Sequence, residues 1–222
     1  MQQNKKKTAK CKEIKTEFSA GALTNYSGIK PVYDFMQKLG IKNSFNSLNI
    51  NMHHNTKYDT GTILSIIILG IISGNNRISK IENFTMDPLV QKMFDLNDKI
   101  SDSTIIERMK RFSMKQTTEY MELIGKISNQ IHSKLSTERD ILDIDSSVKT
   151  VYGKQQGTAK GYNGSKRGAR SYHPLLAFLN STRECLLSWL RPGNSYTANG
   201  ADEFFQQACF NRTSHWAFKT RP

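Results

Sequence analysis

The sequence predicts an α+β protein, with an all-helical front and a mixed back of strand, long loop, strand, strand and helix. Three observations carry this. Up to residue 135, apolar side chains recur at helical spacing between recognisable start and stop signals. After "STERD" at 136–140 the period becomes strand-like, with β-branched runs and turn residues. Between Asp145 and Glu184 there is no acidic residue, and glycines and cations interleave. The boundaries read from these shifts are a basic arm at 1–20, a helical region at 21–138, an α/β region at 139–210 and a divergent tail at 211–222.

Lysines 5, 6, 7, 10 and 12 predict a flexible solvated arm for the first segment. "PVYDFMQKLG" then runs from Pro31 to Gly40, with Val32, Phe35, Met36 and Leu39 on one helical stripe. "DTGTILSIIILGIISG" is apolar on every face and ends at Gly74, as a central helix of a bundle does. In "DPLVQKMF", Asp87 caps and Pro88 takes the first helical position. "SDSTIIERMKRF" carries a Ser/Asp cap and places Ile105, Ile106, Met109 and Phe112 together, so that Arg108, Lys110 and Arg111 fall on an outer, basic face. A long helix follows from Lys115 to Leu135, with Tyr120, Ile124, Ile127 and Ile131 along it. Short helices with one basic face are compatible with a helix-turn-helix-like DNA binder.

In the back half, "ILDIDSSVKTVYG" (141–153) reads as a strand holding two aspartates. "YHPLLAFLNSTRECLLSWLRPGN" reads as a hairpin of strands Tyr172–Asn180 and Cys185–Arg191, closed off by Pro192, Gly193 and Asn194. "NGADEFFQQACF" begins a helix with Phe204, Phe205 and Ala208 inward. The intervening loop holds Lys149, Lys154, Lys160, Lys166, Arg167 and Arg170, with Arg183 beyond, and glycines 153, 157, 161, 164 and 168 that let a partner's phosphates approach the backbone.

Thirty-two Lys and Arg face 19 acids, a formal charge of +13, which points first to a nucleic-acid partner. Cys11, Cys185 and Cys209 are odd in number and far apart, with no CxxC, so neither a disulfide framework nor a zinc knuckle is expected. The longest apolar run, Ile63–Ser73, is too short to span a bilayer, and no secretory signal is present, so a cytoplasmic protein without a membrane partner is expected.

Strand alternation puts Asp143 and Asp145 on one face, where a hard divalent cation is the natural ligand. An EF-hand is excluded: Val148 stands where that loop needs Gly, and Lys154 where it needs Glu. "ILDIDSSV" also resembles the nucleophile motif of haloacid-dehalogenase-like phosphatases, but only Asp202-Glu203, inside an expected helix, could supply their downstream acidic pair.

The whole of "LDIDSSVKTVYGKQQGTAKGYN" followed by "KRGARSYHPLLAFLNSTRECLLSWLRPGNSYTANGA" resembles the DDE transposases of bacterial insertion sequences, in the IS4-like superfamily. "FSAGAL" and "ISDSTIIERMKRF" sit where that family has similar segments. The resemblance implies a ribonuclease-H-like catalytic domain, here an incomplete one of three strands then a helix. It also implies double-stranded DNA with terminal inverted repeats as partner, and Mg²⁺- or Mn²⁺-dependent strand cleavage and transfer. The first catalytic and metal-holding carboxylate maps onto Asp145, with Asp143 as its companion. The family's second Asp, in an ADSGF-like motif, and its later Glu have no counterpart here. The expectation is therefore a C-terminally truncated chain that does not cleave DNA, with the metal expected only in a complete site. Its alternative is a non-catalytic, DNA-binding repressor fragment in the bacterial nucleoid. Losing a neighbouring strand would leave the 141–152 strand edge open and favour self-association.

Overall fold

The computed structural model describes residues 22–48, 50–52, 56–132 and 141–212. The basic arm, the tail from 213 and the end of the long helix past His132 lie outside them.

The front is a bundle of helices: α1 Ile29–Lys38, α2 Ile41–Asn46, α3 Thr60–Ile72, α4 Ile78–Phe84, α5 Pro88–Phe94, α6 Asp102–Met109 and α7 Met114–His132. The expected caps at Asp87 and Ser101 form, and Asp59 also caps α3. Asp59 accepts from the Thr62 N–H, Asp87 from Leu89 and Ser101 from Thr104, so each satisfies a donor that the first turn would otherwise leave open. Asp87 does more, since it also accepts from Thr24 Oγ1 at 2.7 Å and from the Asn25 N–H, tying the entering chain to α5. Two helices, α2 and α4, were not expected from periodicity, because six or seven residues give barely one repeat of an apolar stripe.

Helix α3 is the centre. Ile63, Leu64, Ile66 and Leu69 are buried among Phe45, Phe84, Val90 and Ile105. Its two terminal isoleucines, Ile71 and Ile72, emerge into solvent, so the all-round apolar reading holds for the first two-thirds of the helix. Gly61 is where α2 crosses it: a Cβ there would lie 2.3 Å from the Lys42 carbonyl oxygen. On α7, Tyr120 stacks on Phe45, with ring centroids 5.8 Å apart, and Ile127 is buried.

The back half comprises β1 Leu142–Ser146, β2 Lys149–Thr150, β3 Ala159–Lys160, β4 Arg170–Tyr172, β5 Leu175–Leu179, β6 Cys185–Trp189 and α8 Ala201–Arg212. It forms two antiparallel sheets, β1-β5-β6 and β2-β4-β3. The expected strand at 141–152 is therefore split between sheets, and so is Tyr172–Asn180. The break falls at Ser147–Val148 on one side and His173–Pro174 on the other, where Pro174 has no N–H to give to a ladder. The pairing register nevertheless carries across: Leu142 faces Leu179 and Ser146 faces Leu175 before the break, and Lys149 faces Tyr172 after it. The two sheets are thus successive parts of one long ribbon. The expected loop between strands is itself the small second sheet.

Leu175, Ala177 and Leu187 bury one face of the larger sheet against Phe204 and Ala208 of α8, with Met121 of α7 joining the cluster. Phe205, expected inward, is exposed, because the i, i+4 pair Phe204–Ala208 sets the buried stripe and Phe205 lies about 100° around the helix. Among the described residues strand β1 has a partner on one side only.

Candidate nucleic-acid interface and carboxylate strand

On β1, Leu142, Ile144 and Ser146 pair with Leu179, Ala177 and Leu175, the residues of β5 that face α8. Alternation sends Asp143 and Asp145 to the opposite face, across from Phe178 and Leu176. Both carboxylates are exposed. A carboxylate inside an apolar, β-branched run would be costly to bury, but the open face of β1 leaves both hydrated, so neither needs a counter-ion to be tolerated. Asp145 accepts from the Ser146 N–H at 2.7 Å. Ser146 Oγ lies 3.5 Å from Thr197 Oγ1, so the loop after β6 closes over this end of the strand.

That loop is held by a residue the sequence reading passed over. Arg191, in "LRPGN", is buried. Its Nε donates to the His173 carbonyl at 3.1 Å, and its Nη1 to the carbonyls of Tyr196, Thr197 and Asn199 at 3.3, 3.2 and 2.7 Å. Burial lowers its pKa from the usual arginine value. One guanidinium thus fixes the 196–199 loop to the chain at the ribbon break. An arginine directly before a Pro-Gly turn and after an apolar strand is the signal that could have marked it.

The loop cations divide by what they do. Lys149, Lys154, Lys160 and Arg167 are exposed on or beside the small sheet. Lys166 Nζ lies 4.8 Å from the centroid of the Tyr152 ring. Among the described residues none of these five has an ion pair, because the segment holds no carboxylate to offer. Arg170 instead turns inward, its Nε donating to Thr158 Oγ1 at 2.9 Å and its Nη2 to the Thr158 carbonyl. Arg183 sits in the β5–β6 turn with φ 60°, at the ribbon's other end. The glycines also serve the protein itself. A Cβ on Gly161 would lie 2.0 Å from the Gly193 carbonyl oxygen, so its approach is to the 192–194 turn.

The α6 cations were expected on an outer face, and Arg108 is not there. It is 4% exposed. Its Nη1 donates to Thr60 Oγ1 at 3.1 Å and its Nη2 to the Tyr58 carbonyl at 2.8 Å, joining α6 to the start of α3. Burial is the main cause that lowers its pKa from the ordinary arginine value; Arg111 lowers it further and Asp59 opposes both. Met109 takes the exposed position instead. Lys110 is exposed and pairs with Glu107 at 3.0 Å, and Arg111 donates to the Asn51 carbonyl at 3.0 Å. Arg108→Ala is expected to destabilise the front by about 2–3 kcal/mol, since it removes the donor to the buried Thr60 hydroxyl and to the part-buried Tyr58 carbonyl, whereas Lys110→Ala should stay within about 0.5 kcal/mol. Urea unfolding of both variants checks this; equal effects would contradict it.

Among the described residues no three His, Cys, Asp or Glu side chains converge as a metal-binding group. Asp143 and Asp145 alone fall short of the donor set that two hard divalent cations share. Beyond Asp145 the chain has three acids, Glu184, Asp202 and Glu203. No helix among the described residues is long and apolar enough to cross a membrane.

A family model described as "Transposase DDE domain group 1" matches residues 6–220. No curated protein and no solved structure matches the chain.

Proposed function

The chain belongs to the DDE transposases, group 1, and we propose that within that family it holds element-end DNA on its basic small sheet, beside the strand that carries Asp145. One observation carries this reading. Lys149, Lys154, Lys160, Lys166 and Arg167 project from an acid-free segment with no ion pair among the described residues, on a ribbon continuous in register with β1. Phosphates are the counter-charges that such a surface lacks. The partner in this reading is double-stranded DNA bearing the terminal inverted repeats of a bacterial insertion sequence. Residues 21–138 act as the end-recognition region, and 139–210 as the first half of a ribonuclease-H-like domain. The β1-β5-β6 antiparallel order supports the latter, since that fold begins with an antiparallel meander.

Asp145 is the principal catalytic carboxylate in this reading and Asp143 its companion. Mg²⁺ or Mn²⁺ belongs to a complete carboxylate set, of which this chain supplies a part. We therefore expect the chain to bind DNA without cleaving it, as a repressor-like form of the transposase would.

Binding is expected to weaken steeply with salt, and changing Lys154, Lys160 or Arg167 to Gln should each lower the slope of log K against log salt by about 1. Fluorescence anisotropy on duplex DNA across a salt series measures both; binding indifferent to salt, or to all three substitutions, would overturn the assignment. A nicking assay with Mg²⁺ or Mn²⁺ on the element's own ends should show no product. Cleavage that disappears in Asp145→Asn would show that the carboxylate set is complete after all.

A further inference from the structure

Two tyrosines just beyond strands β2 and β3 of the small sheet stand open to solvent. Tyr152 is 79% exposed and Tyr162 is 85% exposed. An aromatic ring that could bury a large apolar area is instead offered to solvent at both places. Both lie in the acid-free basic segment. The segments that carry them are linked by a built connection. Asn163, next to Tyr162, is buried and donates from Nδ2 to Thr150 Oγ1 at 2.8 Å, two residues before Tyr152. The Asn163 Oδ1 accepts from the N–H groups of Ser165 and Lys166 at 3.1 and 2.9 Å, which fixes the turn. That turn delivers the Lys166 ammonium to one side of the Tyr152 ring, 4.8 Å from its centroid. The result is two open rings on segments pinned to each other, with a cation at one of them and neighbouring lysines that have no ion pair among the described residues.

We propose that Tyr152 and Tyr162 form a stacking platform for unpaired DNA bases. The small sheet then grips a single-stranded or frayed end in preference to a closed duplex. The chemistry is that of single-strand binding surfaces: cations follow the phosphates while rings stack on bases, which every base permits because each has a π-face. A duplex keeps its bases stacked on one another and offers these rings only sugar and phosphate. The platform rests on the reading above that the basic sheet binds DNA, and it adds which form of DNA the sheet prefers.

The test uses the full chain and one mixed-sequence oligonucleotide, presented as a single strand and as a blunt duplex, with affinities read by anisotropy at fixed salt. The double substitution Tyr152→Ala with Tyr162→Ala is expected to weaken single-strand binding by about tenfold or more, with a much smaller change for the duplex. The double Tyr→Phe variant should restore it, since stacking needs the ring and not the hydroxyl. Both tyrosines are exposed, so the folded state is not at risk, and circular dichroism of each variant confirms that. Unchanged single-strand affinity in the alanine variant, with duplex binding intact, overturns the platform alone. Equal losses on both substrates, or failure of Phe to restore binding, also overturn it. A wild-type chain that binds neither substrate overturns the platform and the DNA reading together. A shift of sedimentation in the alanine variant, with DNA affinities unmoved, would assign the rings to contact with a second copy instead.

Discussion

Gly161→Ala is expected to destabilise the small sheet by about 3 kcal/mol or more, the upper end of overpacking costs. The new methyl would lie 2.0 Å from the Gly193 carbonyl oxygen and 2.6 Å from its carbon. These are backbone atoms, which have no rotamer to yield. Gly193 cannot retreat either, because a Cβ on it would be 2.5 Å from the Ser171 carbonyl oxygen and 2.6 Å from that of Ala159. The 192–194 turn is wedged against β3 and β4, and Pro192 bridges Tyr172 in antiparallel fashion. Forcing the turn away also pulls on Arg191, whose bonds to three carbonyls of the 196–199 loop hold that loop near Ser146. Gly164→Ala is the matched control: its methyl would meet only the Tyr162 side chain, at 3.6 Å from the hydroxyl oxygen. Urea unfolding should separate the two variants clearly, and hydrogen exchange should place the loss in β3, β4 and the turn. A Gly161→Ala variant as stable as Gly164→Ala would show that the two glycines do not meet.

Phe204→Ala is expected to cost about 3–5 kcal/mol, the range for removing a buried aromatic side chain. Phe204 is fully buried and meets Trp189 edge to face, with centroids 5.3 Å apart. Trp189 is fixed from its other end, where Nε1 donates to Gln207 Oε1 at 2.9 Å. The cluster beneath the larger sheet is small: Leu175, Ala177, Leu187, Phe204 and Ala208 are its buried members. With so few groups, there is little neighbouring mass to collapse into the hole, so the cavity cost stays near its full value. Phe205→Ala, one residue on and exposed, should change stability by no more than about 0.5 kcal/mol. Denaturation midpoints decide; equal effects at 204 and 205 would mean that α8 packs on a different face.

These two residues also show where reading the sequence stops. The helix from Ala201 is legible in "NGADEFFQQACF", but the choice between adjacent phenylalanines is not, since a short helix with an apolar pair at i, i+1 has two equally good stripes. Packing chooses Phe204 because Ala208, one turn on, lets the sheet approach. The same holds at α6. Spacing groups Ile105, Ile106, Met109 and Phe112, yet the bundle buries Arg108, because the carbonyl of Tyr58 and the hydroxyl of Thr60 at the start of α3 need donors. Periodicity carries no information about an acceptor fifty residues away.

For the candidate site, residue types and their order along the chain were readable and placement was not. The sequence alone determined the α+β order, the caps at Asp87 and Ser101, the strand bearing Asp143 and Asp145, the acid-free basic stretch and the family resemblance. These are properties of local spacing and composition, which survive without a partner element. Only the tertiary structure decided that both aspartates are exposed and that the expected loop is a sheet. It also decided that the loop's glycines pack on the protein's own turn and that Arg191 braces the chain beside Ser146. Each of those depends on which backbone lies across the ribbon break, and pairing at a distance is set by the summed packing of residues far apart in the chain.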